Sequence, residues 1–256
     1  KCIASITYWG DKHENPIGEI IDILGDTGDN NTEMHAILAE FGLPYSYPQN
    51  LEEEANKISE QISEEEISRR IDFRDTTTFT IDPVDAKDFD DALSLRQVEE
   101  GVWEVGVHIA DVTYFVEQDS DIDKEAFKRA TSVYLVDRTV PMLPEHISNF
   151  ICSLRPDEEK LTYSCIFKLN NDAEVLDYKI ARTVIRSDRR FTYEEAQEII
   201  ETGKGDFAME ILTLNNLAKK LRNKRFASGA IAFERSEVRF EIDEKGKPIN
   251  VIFKES

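Results

Sequence analysis

Asp82, Asp85, Asp88, Asp90 and Asp91 crowd one short stretch, Phe79-Thr-Ile-Asp82-Pro-Val-Asp85-Ala-Lys-Asp88-Phe-Asp90-Asp91-Ala-Leu-Ser-Leu95. The chain has 52 acidic residues in 256. A window from Asp82 to Asp91 would therefore hold about two by composition, against five observed, all of them Asp. An acidic surface loop is the simplest reading. Against it, Phe79 and Ile81 precede the cluster, Ala92, Leu93 and Leu95 follow it, and Phe89 sits inside it. These apolar neighbours draw the carboxylates toward a core, where charge is rarely left unpaired. Only Lys87 lies nearby in sequence as a counter-charge. Two carboxylates about 4 Å apart repel by roughly 4 kcal/mol at an effective dielectric near 20. Several held together must raise their pKa values or take up a cation. With no His or Cys in the stretch, the fitting ion is hard and oxygen-seeking: Mg²⁺, with Mn²⁺ as a substitute. Four or five carboxylates exceed the needs of one Mg²⁺ and point to two ions, clamping the attacking and leaving oxygens of a phosphoryl transfer.

Such a site needs strands to carry it, and the apolar patterning supplies them. Strands are predicted at Thr78–Ile81, Ala92–Val98 and Val102–Ile109, and again at Thr162–Leu169, Val175–Arg186, Ile231–Glu234, Val238–Ile242 and Ile249–Phe253. Gly101 and Gly246 mark hairpin turns. Helices are predicted at Lys124–Ala130, Tyr193–Glu201 and Asp206–Ala227, the second opened by a Thr192-x-x-Glu195 capping box. Three regions result. Residues 1–25 read as two strands, Ile3–Tyr8 and Ile17–Leu24, forming the tail of a small β-domain. Residues 26–70 read as an acidic helical connector, with helical spacing in Glu33–Phe41 and Leu51–Arg70. Residues 71–256 read as an α+β domain.

The formal net charge of −21 by itself argues against nucleic acid as a partner, since phosphate binders usually carry a basic excess. An acidic metal site, however, is negative before its cation arrives. Basic groups gather at Arg182, Arg186, Arg189 and Arg190, and at Lys219, Lys220, Arg222, Lys224 and Arg225; either set could touch phosphates. For the second set, a solvated helix face is at least as good a reading. Asp119-Ser-Asp121-Ile-Asp123 mimics the start of a calcium loop, but Lys124 and Ala130 stand where Gly and Glu are needed. It reads as the acidic first turn of a helix. His108, near Asp111, has the look of an acid–base pair, yet one His on a strand is more often structural. Cys2, Cys152 and Cys165 are widely spaced and read as reduced thiols of a cytoplasmic protein. The first residues lack the order of a signal peptide, and no apolar run approaches the roughly 18 residues of a membrane span.

The run Asp82-Pro-Val-Asp-Ala-Lys-Asp88-Phe-Asp90-Asp91-Ala-Leu, preceded by Arg70-Ile-Asp-Phe-Arg74, closely resembles the catalytic motif of the RNase II/RNase R family, nearer to the RNase R wording. Further segments resemble that family in order: Val107–Val112, Thr131–Tyr134, Pro141–Pro144, Ile151–Leu154, Phe191–Tyr193 and Gly229–Phe233. Asn15–Gly18 and Leu24–Asp26 resemble the end of its second, OB-type cold-shock β-barrel. The resemblance implies the N-terminal part of a mixed-sheet catalytic domain with packed helices. It implies processive 3′-to-5′ hydrolysis of single-stranded RNA to nucleoside 5′-monophosphates. It places the four catalytic, metal-holding aspartates on Asp82, Asp88, Asp90 and Asp91, with Asp90 indispensable and Asp85 outside the set. It gives Tyr134 a place near the scissile nucleotide, and has Tyr193 and Phe233 stack on terminal bases. In the family the catalytic domain continues further, so the expectation is a fragment, weakly active or inactive alone. A catalytically inactive RNA-binding scaffold, an acidic cation-binding module and a small-substrate phosphatase are the competing readings.

Overall fold

The computed structural model describes residues 1–11, 15–232, 236–244 and 246–255. Among these, the chain runs through β1 (Cys2–Tyr8), β2 (Ile17–Ile23), α1 (Asn30–Glu40), α2 (Gln49–Ala55), α3 (Glu64–Ser68), β3 (Ile71–Asp72), β4 (Thr78–Asp82), β5 (Asp91–Glu99) and β6 (Val102–Ala110). It continues through α4 (Val112–Phe115), α5 (Asp121–Arg129), β7 (Val133–Tyr134), β8 (Thr139–Val140), a π-helical turn (His146–Ile151), β9 (Glu159–Asn170) and β10 (Val175–Arg186). Last come β11 (Arg189–Thr192), α6 (Tyr193–Thr202), α7 (Ala208–Ala227), β12 (Ser236–Ile242) and β13 (Pro248–Glu255). Among the described residues no helix is long and apolar enough to cross a membrane.

Two compact units divide these elements. The first comprises Lys1–Leu51, Lys124–Leu143 and Phe233–Ser256. It holds the antiparallel pairs β1–β2, β7–β8 and β12–β13, and α1, whose N-cap Asp29 accepts from the Thr32 amide. Arg129 lies 4.0 Å above the Tyr47 ring and donates to the Ser46 and Pro141 carbonyls.

The second unit, Glu52–Asp123 with Pro144–Ala232, is built on a mixed sheet ordered β11-β4-β5-β6-β9-β10-β3 among the described residues. Its two edge pairings are parallel and the inner ones antiparallel, as the α+β reading anticipates. Helix α6 packs at the β11–β4 end of the sheet, and α7 reaches on to the middle strands. Phe79 and Phe191 meet edge to face at 5.5 Å and pack with Ala196, Ile199 and Ile211. Leu217 of α7 reaches Leu95, Val105 and Leu169 in the middle of the sheet. The Thr192–Glu195 capping box forms as predicted. A line of buried polar side chains crosses the inner strands. His108 bridges the Ser94 and Ser164 hydroxyls at 2.8 and 2.7 Å, and Ser164 continues to Thr183 at 2.6 Å.

Several expectations need correction. Leu51–Arg70 is not one helix: α2 ends at Ala55 and α3 begins at Glu64 behind its own N-cap, Ser63. The intervening residues pass through one turn at 56–57 and are otherwise irregular. Of the strand expected at Ile231–Glu234, Ile231 and Ala232 are irregular, and the rest lies outside the described residues. The short β3, β7, β8 and β11 and the π-turn were not anticipated. Those strands are too short to show a period of their own and are defined by their partners.

Candidate active site

The carboxylate stretch sits where the sheet forks. β4 and β5 pair only at Thr78–Ser94 and Phe79–Leu93. Beyond that point β4 stays with β11 as far as Asp82–Thr192, while β5 stays with β6 from Asp91–Ile109. Residues 83–90 span the gap. Pro83, which has no amide proton, follows the last residue of β4 and cannot extend the ladder. The loop is tied down almost residue by residue. Ala86 donates its amide to the Pro83 carbonyl at 3.1 Å, and Ala110 donates to the Asp90 carbonyl at 3.0 Å. Phe89 donates its amide to Ser153 Oγ at 3.0 Å, and Ser153 Oγ donates to the Lys87 carbonyl at 3.2 Å. The Leu154 amide donates to the Phe89 carbonyl at 2.8 Å. From the other side Arg190 donates to the Pro83 carbonyl and covers the Phe89 ring.

The charges are poorly compensated. Asp82 is buried, and its Oδ2 has no hydrogen-bond partner among the described residues. Its pKa is raised, first by burial and then by the charges of Asp91 and Asp88, with partial relief from the Thr80 hydroxyl and Arg190. Asp90 is pushed up to about 6, by desolvation in the surrounding protein and then by Asp88, Asp91 and Asp82. Its surface is nonetheless open to solvent, as is that of Asp91, while Asp88 is half-buried. Asp82, Asp88, Asp90 and Asp91 thus act on one another. Asp85 stands exposed on the loop.

These residues fit a hard divalent cation by charge, by oxygen chemistry and by the orphaned Oδ2 of Asp82. Among the described residues no three acidic, His or Cys side chains converge into a preformed cage. Mg²⁺ is suited to this, since it keeps several waters and takes only one or two carboxylates directly.

The remaining sequence candidates separate. Tyr193 follows Thr192, the residue in register with Asp82, and is exposed at the start of α6. Tyr134 belongs to the first unit, paired through its backbone with Thr139, its side chain exposed. Phe233 lies outside the described residues. The arginine cluster does not act as one group. Arg189 pairs with Glu195 and Asp206, Arg182 lies 3.6 Å from Asp111, and Arg190 turns to the carboxylate loop. On α7, Lys220 and Lys224 donate to carbonyls of the turn joining β9 to β10 rather than to i,i+4 partners. His108 and Asp111 are not an acid–base pair. Burial drives His108 down to about 4, leaving it neutral between two serines. Asp111 faces Arg70 at 2.8 Å, both side chains being almost wholly buried.

A family model described as RNB domain matches residues 70–256, and one described as Cold shock domain matches residues 1–48. Ribonuclease R 1 of Lactococcus lactis is 36% identical over 259 residues, covering 97% of this chain and 31% of that protein. DIS3-like exonuclease 2 of Schizosaccharomyces pombe is 39% identical over 267 residues, covering 96% of this chain and 28% of that protein. Among solved structures, Mycoplasma genitalium RNase R in complex with double-stranded RNA has a TM-score of 0.92 at 26% identity, covering 99% of this chain and 46% of that one. The chain spans about a third of the length of the curated relatives it matches.

Proposed function

The chain belongs to the RNB-domain family, and from that premise we propose that it is the carboxylate-bearing part of a longer 3′-to-5′ exoribonuclease. That enzyme hydrolyses single-stranded RNA processively and releases nucleoside 5′-monophosphates. The observation that carries this reading is the group of four mutually repelling aspartates, 82, 88, 90 and 91, held at a fork in the sheet with an unpartnered carboxylate oxygen on Asp82. The site of action is cytoplasmic. The partner is the 3′ end of an RNA strand.

Asp82, Asp88 and Asp91 would hold Mg²⁺, and Asp90 would place a second ion or the attacking water. Bound there, Mg²⁺ supplies Lewis-acid stabilisation of the charge on the attacking and leaving oxygens. The chain's own residues do the rest. Asp90 is open to solvent and, without a cation, has its pKa pushed up to about 6, so a water can reach it and share a proton with it. The tied loop keeps the carboxylates from relaxing apart. Tyr193, one residue beyond the position in register with Asp82, stacks on a terminal base together with Phe233, and Tyr134 limits how far the 3′ end advances. Stacking suits an enzyme that must accept every sequence.

The test compares the full-length protein with its Asp90→Asn variant. Each is incubated with Mg²⁺ and a 5′-labelled single-stranded RNA, and the products are resolved by length. Shortening from the 3′ end to a small limit product by wild type alone is the expected result. Intact RNA with folded, metal-bound wild type would instead favour an inactive RNA-binding scaffold.

A further inference from the structure

We propose that Ser153 is a positioning residue for the metal-holding aspartates, its hydroxyl setting the backbone that presents Asp88 and Asp90. This rests on reading those aspartates as a metal group. Ser153 is wholly buried, and its hydroxyl both accepts from and donates to the carboxylate loop. Oγ accepts from the Phe89 amide at 3.0 Å and donates to the Lys87 carbonyl at 3.2 Å. The two groups it joins flank Asp88. The next residue, Leu154, holds the Phe89 carbonyl at 2.8 Å, immediately before Asp90. Two consecutive residues therefore govern three backbone groups between Lys87 and Asp90.

The anchor is itself anchored. Ser153 follows the π-helical turn by two residues, and that turn closes through the Cys152 amide donating to the Ile147 carbonyl at 2.9 Å. The turn leaves carbonyls at Phe150 and Ile151 that helix geometry cannot satisfy. Lys160 Nζ donates to both, at 2.6 and 3.3 Å. A buried ammonium on β9 thus fixes the exit of the turn, and the exit fixes Ser153. π-turns of this kind occur frequently at functional sites. Lone loop carboxylates that repel one another would drift apart without such a brace, and groups that orient ligands typically matter about 10- to 100-fold to metal affinity.

The experiment measures Mn²⁺ uptake by electron paramagnetic resonance in the full-length protein without RNA, alongside steady-state RNA hydrolysis. For folded Ser153→Ala the expected result is Mn²⁺ binding about 10- to 100-fold weaker. A kcat lowered by up to about 100-fold is expected with it, while the RNA KM stays near wild type. A purely structural role would lower the melting temperature and leave Mn²⁺ affinity and kcat per folded molecule unchanged, and that result would overturn the proposal. Should Ser153→Ala fail to fold, Ser153→Cys keeps the shape of the side chain with a slightly larger atom at its tip and is a poorer donor and acceptor. It is expected to show the same loss of Mn²⁺ affinity, and wild-type affinity in it would overturn the role. Wild type that takes up no Mn²⁺ would overturn the metal reading and this role together. Wild type and Ser153→Ala binding equally well would overturn Ser153 alone.

Discussion

The guanidinium carbon of Arg190 stands 5.5 Å from the centre of the Phe89 ring. In the same pose Arg190 donates to the Pro83 carbonyl, and its charge acts on Asp82. One side chain on β11 thereby grips both ends of the carboxylate loop. A partly desolvated cation–π contact contributes about 0.5–2 kcal/mol, and a partly buried carbonyl losing its donor costs about 1 kcal/mol. Arg190→Met is therefore expected to lose about 2 kcal/mol in urea unfolding. Arg190→Lys restores the charge without the planar fork and should recover less than half of that loss. Full recovery by lysine would show that charge alone matters here.

Two shifted titrations, one at the solvent-open Asp90 and one at the buried His108, oppose each other in one pH window. Asp90 is raised from 3.8 to about 6 in the folded, metal-free protein. Its contribution to stability is fully present below the unfolded value and is lost as pH rises through the folded one. His108 is lowered from 6.5 to about 4. Its contribution is present above the unfolded value and is lost as pH falls toward the folded one. In EDTA these two contributions to the melting temperature of wild type should largely cancel between these limits. In Asp90→Asn, or with Mg²⁺ holding the carboxylates ionised, the His108 slope is exposed and the melting temperature should climb with pH. Thermal melts of the two proteins across that range, with and without Mg²⁺, check this. An Asp90→Asn profile identical to wild type in EDTA would remove Asp90 from the account.

Gly106 makes room for the bond between Ser94 and His108. A Cβ there would lie 2.3 Å from Ser94 Oγ and 2.4 Å from His108 Nε2, two atoms that bond at 2.8 Å in the core. Overpacking and a broken buried hydrogen bond together predict that Gly106→Ala loses about 3 kcal/mol. Adding Ser94→Ala removes one of the clashing atoms, so the double variant should be more stable than Gly106→Ala alone. Equilibrium urea unfolding of the three proteins is the measurement.

How much of this was readable in advance depended on length and periodicity. The long strands β5, β6, β9 and β10 each show enough alternation to announce themselves, and Thr192 and Glu195 announce the start of α6. The aspartates were readable because five carboxylates of one type in so short a span are improbable by composition and costly by charge. Ser153 was not. A lone serine in Ile151-Cys-Ser-Leu154 has no pattern, and its meaning lies in partners more than sixty residues away. Arg189 and Arg190 are adjacent in sequence and looked like one basic patch. Alternation along β11 sends one to Glu195 and Asp206 and the other to the carboxylate loop. The fork between β4 and β5 is likewise a property of the sheet, set by which neighbour each strand keeps.

Tyr193 offers the sharpest separation of binding from folding. It is half exposed at the first turn of α6, directly after Thr192, whose backbone lies in register with Asp82. The capping box that starts the helix is made by Thr192 and Glu195, so the Tyr193 ring is not needed to hold the helix. Exposed positions without such a task usually tolerate substitution within about 0.5 kcal/mol. A base stacked on the ring would contribute about 1–3 kcal/mol, which is roughly 5- to 150-fold in affinity. Tyr193→Ala is therefore expected to unfold like wild type yet bind single-stranded RNA at least about 5-fold more weakly. Binding is best read in the Asp90→Asn background, where the strand is not consumed. Tyr193→Phe keeps the π-face and should bind like wild type. If Tyr193→Phe is as weak as Tyr193→Ala, the phenol hydroxyl and not stacking carries the contact; if neither is weakened, the ring takes no part in holding the RNA end.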